Sequence, residues 1–100
     1  MNYCFMLYPG YRRKAVTLSY DDGVIFDKRL IEIMDKHGLK GTFNINSGLF
    51  AEKEGERRMT EKTAYELYAN SCHEVAVHGV KHLSLSEVPI ETGTMDIVND

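Results

Sequence analysis

Three short runs with strand character recur along the chain at intervals of roughly 30 residues, which is the spacing of strands joined by crossover helices. The first and third runs are mostly apolar, and the second alternates apolar and polar residues. The runs are residues 15–20, 41–46 and 74–77. A strand that returns to its own sheet after one helix runs parallel to the strand before it. The spacing therefore predicts an α/β fold of about three βα units in one small domain.

Helix signals lie between and after these runs. The predicted helical segments are residues 24–37, residues 61–70 and part of residues 84–100. Asp27 is placed to cap the first helix, and Gly38 is placed to end it in a left-handed turn. Thr60 is placed to cap the second helix. The charged segment 51–58 is expected to be a solvated surface.

Polar clusters follow the first and third runs. Asp21 and Asp22 come where the first run stops, and Gly23 allows the backbone to turn there. Residues 78–82, His-Gly-Val-Lys-His, follow the third run. The carboxyl ends of parallel strands meet at one edge of a sheet, so the two clusters are expected to lie together. Asn44 or Asn46, on the second run, could face the same site or serve only in turns and the strand ladder.

Two imidazoles and a carboxylate are a ligand set that suits Zn²⁺ and leaves positions open for water and substrate. Of two adjacent aspartates, one can bind the ion while the other stays free as a base. Neither cluster is specific alone, because Asp-Asp-Gly is common in turns and Gly79 stands where a zincin helix would carry Glu. The same ligands serve iron oxygenases, but those sites usually occupy a double-stranded β-helix. A metal-assisted hydrolase is therefore favoured.

The segments 19–23 (Ser-Tyr-Asp-Asp-Gly) and 78–82 resemble the first two motifs of the polysaccharide deacetylase family (carbohydrate esterase family 4, the NodB-homology domain). Further similarity lies in 41–43 (Gly-Thr-Phe) and 74–75 (Glu-Val), and the resemblance spans about residues 14–85. It implies a distorted (β/α) barrel of about seven strands. It also implies removal of acetyl groups from a carbohydrate, either N-acetylglucosamine polymers or acetylated xylan.

The resemblance assigns roles to four residues. Asp21 would be the general base, and Asp22, His78 and His82 would bind a divalent metal, usually zinc, with cobalt or another divalent ion as alternatives. Two positions depart from the family pattern: Tyr20 replaces the usual Phe, and Gly79 stands where many members carry Ser or Thr.

Later motifs of the family have no counterpart in residues 1–100: an Arg-Pro segment, a Trp-containing wall and a Leu-x-His that supplies the general acid. Residues 1–100 are therefore expected to be the N-terminal part of such a domain, missing its C-terminal part. The exposed sheet edge would be covered by the rest of the domain or by a second copy of the chain. The alternative is an inactive fragment that binds metal.

Composition excludes other function classes. Twelve basic and 15 acidic residues give a net charge of −3, so no basic surface for nucleic acid is expected. No apolar run approaches the ~18 residues of a membrane span. The N-terminus lacks the features of a signal peptide, which predicts a cytoplasmic location. Cys4 and Cys72 are expected to be packing thiols. His37 is expected to stabilise the C-terminal end of the first helix through the helix dipole, and His73 is expected to lie away from the metal site.

Overall fold

The computed structural model describes residues 5–100, so the prediction for Cys4 lies outside the described residues. Three strands form one parallel sheet in the order β1-β2-β3: β1 (Ser19–Asp21), β2 (Thr42–Ile45) and β3 (Glu74–Val77). The α-helices are α1 (Asp27–Lys36), α2 (Glu61–Tyr68) and α3 (Ile90–Val98), and a short 3-10 helix, η1 (Ser47–Leu49), follows β2. The predicted parallel α/β arrangement is confirmed. None of the helices in residues 5–100 has the length and apolar content that a bilayer crossing requires.

Strand β1 is shorter than the predicted run 15–20. It begins at Ser19, which pairs with Thr42, the first residue of β2. Residues before Ser19 therefore have no β2 residue opposite them, and Val16 is exposed. An apolar run forms a strand only as far as its neighbour extends, because the ladder hydrogen bonds need partners on both sides.

Two of the three predicted helix ends are confirmed. Gly38 has φ +64° and ends α1, and the Leu39 N–H donates to the Met34 carbonyl at 2.9 Å. This is the bond pattern of a Schellman motif. Thr60 caps α2 by accepting a hydrogen bond from the Thr63 N–H at 3.2 Å.

The predicted capping role of Asp27 is wrong. Asp27 is the first residue inside α1, and Phe26 occupies the cap position without a side-chain hydrogen bond. The Asp27 carboxylate is buried and accepts a hydrogen bond from the Tyr68 hydroxyl at 2.9 Å. A contact with a distant helix has therefore replaced the local cap.

A core centred on β2 fixes the position of the strand ends. The Phe43 ring packs against the rings of Tyr20, Tyr68 and His73 at centroid distances of 5.4–5.6 Å. The buried apolar residues are Ile31, Met34, Phe43, Met59, Ala64 and Tyr68. Side chains from α1 and α2 pack against those of β2 in this core, so both helices hold the central strand of the sheet in place.

We expect Tyr68→Phe to lower the free energy of unfolding by about 1–3 kcal/mol at neutral pH, because the buried Asp27 carboxylate loses its donor. Burial raises the pKa of Asp27, and the Tyr68 hydrogen bond opposes that rise. A carboxyl whose pKa is raised by folding costs stability above that pKa, and the cost is relieved as pH falls through it. The loss of unfolding free energy caused by Tyr68→Phe should therefore shrink as the pH is lowered from neutrality and Asp27 becomes protonated.

Urea unfolding at a series of pH values from neutrality downward measures this loss. Tyr65→Phe is the matched control, because Tyr65 is an exposed tyrosine on the same helix. A deficit for Tyr68→Phe that stays constant across this pH range would contradict the role given to Asp27.

Candidate metal centre

The parallel register brings the two predicted clusters to one edge of the sheet. Asp22 directly follows β1, and its N–H donates to the Asn44 carbonyl at 2.9 Å. His78 directly follows β3, and its N–H donates to the Ile45 carbonyl at 3.2 Å. Both residues thus extend the ladder to β2 by one bond, which places them on either side of that strand's end.

Asp22, His78 and His82 form a candidate three-ligand group. The Asp22 Oδ1 atom lies 3.7 Å from His78 Nε2 and 3.7 Å from His82 Nε2. One ligand atom from each residue lies within 4.8 Å of the others. Two ligand atoms on one tetrahedral zinc are separated by roughly 3.3 Å when the bonds are about 2.0–2.1 Å long. Small side-chain movements would therefore bring the group to bonding distance of one ion.

Two atoms of this group are buried without a hydrogen-bond partner in the described part of the chain: Asp22 Oδ1 and His78 Nε2. The Arg58 Nη2 atom lies 3.5 Å from Asp22 Oδ1, which is an ion pair at long range. Leaving a buried polar atom unpaired costs about 1–3 kcal/mol. A cation between the two atoms would satisfy both, and imidazole with carboxylate suits zinc and related divalent ions. The residues fit a divalent metal.

Asp21 lies beside this group without belonging to it. Its Oδ1 atom accepts a hydrogen bond from Asn44 Nδ2 at 2.8 Å, whereas its Oδ2 atom lies 3.9 Å from His78 Nε2. The Asn44 amide also donates to Ser19 Oγ at 2.9 Å and to the Tyr20 carbonyl at 3.2 Å. Asn44 therefore holds one carboxylate oxygen of Asp21 and leaves the other on the side of the histidines.

Helix α3 supports the histidine turn, residues 78–82. The Val80 N–H donates to the Asp96 carbonyl and the Lys81 N–H to Asp96 Oδ1, both at 2.9 Å. Gly79 has φ +82°, and a Cβ atom there would overlap the Asp96 carboxylate. Glycine is thus required at position 79 by the backbone conformation and by the buried Asp96 beside it.

Asp100 binds the turn from its other side. Its two carboxylate oxygens accept the Ser47 N–H at 2.7 Å and the His78 N–H at 2.6 Å. Burial raises the pKa of Asp100, but the N–H donors lower it by more, so it lies below the ordinary value. The ionised form is therefore favoured in the folded protein.

Sequence reasoning missed Arg58, Asp96 and Asp100 as parts of this site. The expectation of a solvated surface is wrong for Arg58, which is half-buried against the carbonyl of Asp22. All three residues act through contacts with backbone that is distant in the sequence. Local spacing carries no signal for such contacts, and the charged run ends in two adjacent arginines that the sequence does not distinguish.

A second group, Asp35, Cys72 and His73, also has ligand atoms within 4.8 Å of one another. The Gly41 N–H donates to His73 Nδ1 at 3.2 Å, so Nε2 carries the ring proton and donates to Asp35 Oδ1 at 3.0 Å. Both ring nitrogens are therefore occupied, and His73 acts as a structural link. Its predicted place, at the opposite end of β3 from His78, is confirmed. The prediction that Cys72 is packed is wrong, because this thiol is exposed.

Comparison with known proteins adds an independent finding. The family model for polysaccharide deacetylase matches residues 9–100, which includes both strand-end clusters. The comparison with curated proteins found no significant match, and neither did the comparison with solved structures. Since the match covers nearly all of the chain, this protein belongs to the polysaccharide deacetylase family.

Proposed function

We propose that this protein is a metal-dependent hydrolase that removes acetyl groups from a polysaccharide, an N-acetylglucosamine polymer or acetylated xylan. Asp22, His78 and His82 are the proposed ligands, and zinc is the proposed ion, with cobalt or another divalent ion as alternatives. The observation that carries the proposal is the pair of buried, unpartnered atoms, Asp22 Oδ1 and His78 Nε2, that face each other at 3.7 Å. Family membership supports deacetylation in general.

Asp21 is the proposed general base. A divalent ion held by the three ligands would lower the pKa of a bound water toward ~7 and polarise the acetyl carbonyl. Asp21 Oδ2 takes the proton of the attacking water, while Asn44 holds Oδ1 at 2.8 Å. This division of work explains why two adjacent carboxylates stand at one strand end.

We also propose that the sheet is the N-terminal part of a distorted (β/α) barrel and that the carbohydrate lies over the carboxyl ends of its strands. The parallel strand order supports this. Val75 and Val77 on β3 are 50% and 58% exposed, which leaves apolar surface beside the last strand of the described sheet. Further strands of the same domain, or a second copy, would cover that surface.

Acetate release tests the proposed function. The protein should release acetate from chitin oligomers or from acetylated xylan, lose that activity after chelation, and regain it with Zn²⁺ or Co²⁺. Release that is unaffected by complete removal of divalent ions would contradict metal dependence. Failure to release acetate from both substrates by the metal-loaded protein would contradict the proposed reaction.

A second candidate is an inactive metal-binding chain. It is favoured by the open site, in which the side chains of Asp21 and His82 are 58% and 53% exposed. Tight zinc binding without acetate release would support this candidate, because a site that water enters freely loses much of its electrostatic catalysis.

A further inference from the structure

We infer that Asn46 and Arg58 act together as positioning residues that hold the two ligand-bearing turns at a fixed separation. The first is the aspartate turn, residues 21–23, and the second is the histidine turn, residues 78–82. The inference rests on the proposed function, because the separation of the turns matters only if both bind one ion.

The sheet order creates the need for such a link. The proposed ligands follow β1 and β3, which flank β2 and do not pair with each other. Adjacent strands lie about 4.8 Å apart, so the two ligand-bearing strand ends are separated by roughly 10 Å. The direct ladder bonds tie each turn to β2 alone. A polar side chain at the end of β2 could therefore contact the aspartate turn on one side and the histidine turn on the other.

Asn46 occupies that position. It directly follows β2 and is 1% exposed. Its Nδ2 atom donates to the carbonyls of His78 and Gly79, each at 2.7 Å, and its Oδ1 atom accepts from Arg58 Nη1 at 3.1 Å. Both donor hydrogens and the acceptor of the amide are thus used, which fixes its orientation.

Arg58 completes the link to the aspartate turn. The same Nη1 atom donates to the Asp22 carbonyl at 2.6 Å. Asp22 has φ +80°, a left-handed conformation that few residues other than glycine adopt. Backbone strain of this kind costs on the order of 1–3 kcal/mol and persists only when surrounding contacts enforce it. The guanidinium is therefore well placed to hold Asp22 in the conformation that turns Oδ1 toward the histidines.

A continuous path results, from the Asp22 carbonyl through Arg58 and Asn46 to the carbonyls of His78 and Gly79. None of these hydrogen bonds uses a proposed ligand atom, so the network supports the ligands from behind. The second guanidinium nitrogen of Arg58, Nη2, lies 3.5 Å from Asp22 Oδ1, and Arg58→Lys keeps a positive charge near that atom. Substitution of such outer-shell groups typically lowers metal affinity or activity by about 10–100-fold. An apolar core residue could fill the same space without linking the two turns.

The test measures the zinc dissociation constant of the purified protein by chelator competition and records the visible spectrum of its Co²⁺ form. Asn46→Ala and Arg58→Met should each weaken zinc binding by about 10–100-fold and shift the cobalt bands. The double variant should bind zinc with about the same affinity as the weaker-binding of the two single variants, because both substitutions interrupt the same path. Arg58→Lys keeps the charge and one donor, and it should recover part of the affinity.

Arg57→Met is the matched control, because Arg57 is the exposed neighbour of Arg58. Urea unfolding of the metal-free proteins separates stability from positioning: a purely structural role would lower stability and leave the cobalt spectrum of the folded variants unchanged. If Asn46→Ala does not fold, the Arg58 variants and their control still decide the question.

The outcomes distinguish the two proposals. Tight zinc binding by wild type that persists in the Arg58 variants, with unchanged cobalt bands, would overturn this inference and leave the proposed function standing. If the losses of zinc-binding free energy in the two single variants add up in the double variant, the two residues act independently and the inferred joint action is wrong. Failure of the wild-type protein to bind zinc or cobalt would overturn both the proposed metal site and this inference.

Discussion

Asp21→Asn is expected to lower kcat for acetate release by about 10²–10⁴-fold while zinc affinity stays unchanged. An amide cannot take the proton of the attacking water, so the variant lacks the proposed base. The geometry should be kept, because the side chains have nearly the same shape. The hydrogen bond that Asn44 donates to Oδ1 at 2.8 Å can also be accepted by the amide oxygen of the variant.

Acetate release and zinc titration on the same preparations measure the two effects. Glu52→Gln is the control, since it makes the same chemical change at an exposed carboxylate. Full activity of Asp21→Asn would remove Asp21 from the role of base. Loss of zinc binding together with activity would instead make Asp21 a ligand.

His82→Ala is expected to weaken zinc binding by more than the roughly 10–100-fold caused by outer-shell changes, and to abolish acetate release. The His82 ring is half-exposed and its Nε2 atom lies 3.7 Å from Asp22 Oδ1. Little packing is lost when it is truncated, so the affinity change reports mainly on a missing ligand.

His37→Ala is the matched control, because His37 is an exposed histidine at the end of α1. Its zinc affinity and its activity should equal those of wild type. A zinc dissociation constant for His82→Ala equal to that of wild type would show that this imidazole does not bind the ion. Isothermal titration of Zn²⁺ into the metal-free proteins makes the comparison directly.

The sequence was sufficient to predict the parallel α/β arrangement and the meeting of the two clusters at one edge of the sheet. Apolar runs followed by helix signals are local features, and the direction of a parallel sheet then decides where the strand ends lie. Asp22 and His78 reach the same edge of the sheet for this reason, although they are far apart in the sequence. Gly38 and Thr60 could be placed because helix ends depend on nearby residues.

Long-range contacts were beyond sequence reasoning. Asp27 looks like a helix cap, but the Tyr68 hydroxyl from another helix binds it in the core. Arg58 looks like part of a solvated run, yet its guanidinium reaches the Asp22 carbonyl. In each case a polar side chain finds a buried partner that no local pattern specifies, and tertiary context overrides the local preference.

The close approach of Gly79 and Asp96 has a consequence for how related sequences can vary. A side chain at position 79 would overlap the Asp96 carboxylate, which already accepts the Lys81 N–H. A side chain at position 79 therefore needs both a smaller or redirected side chain at position 96 and a turn in which the φ of residue 79 is not positive. We expect a substitution of Gly79 to be tolerated only when residue 96 and the backbone of the turn change with it.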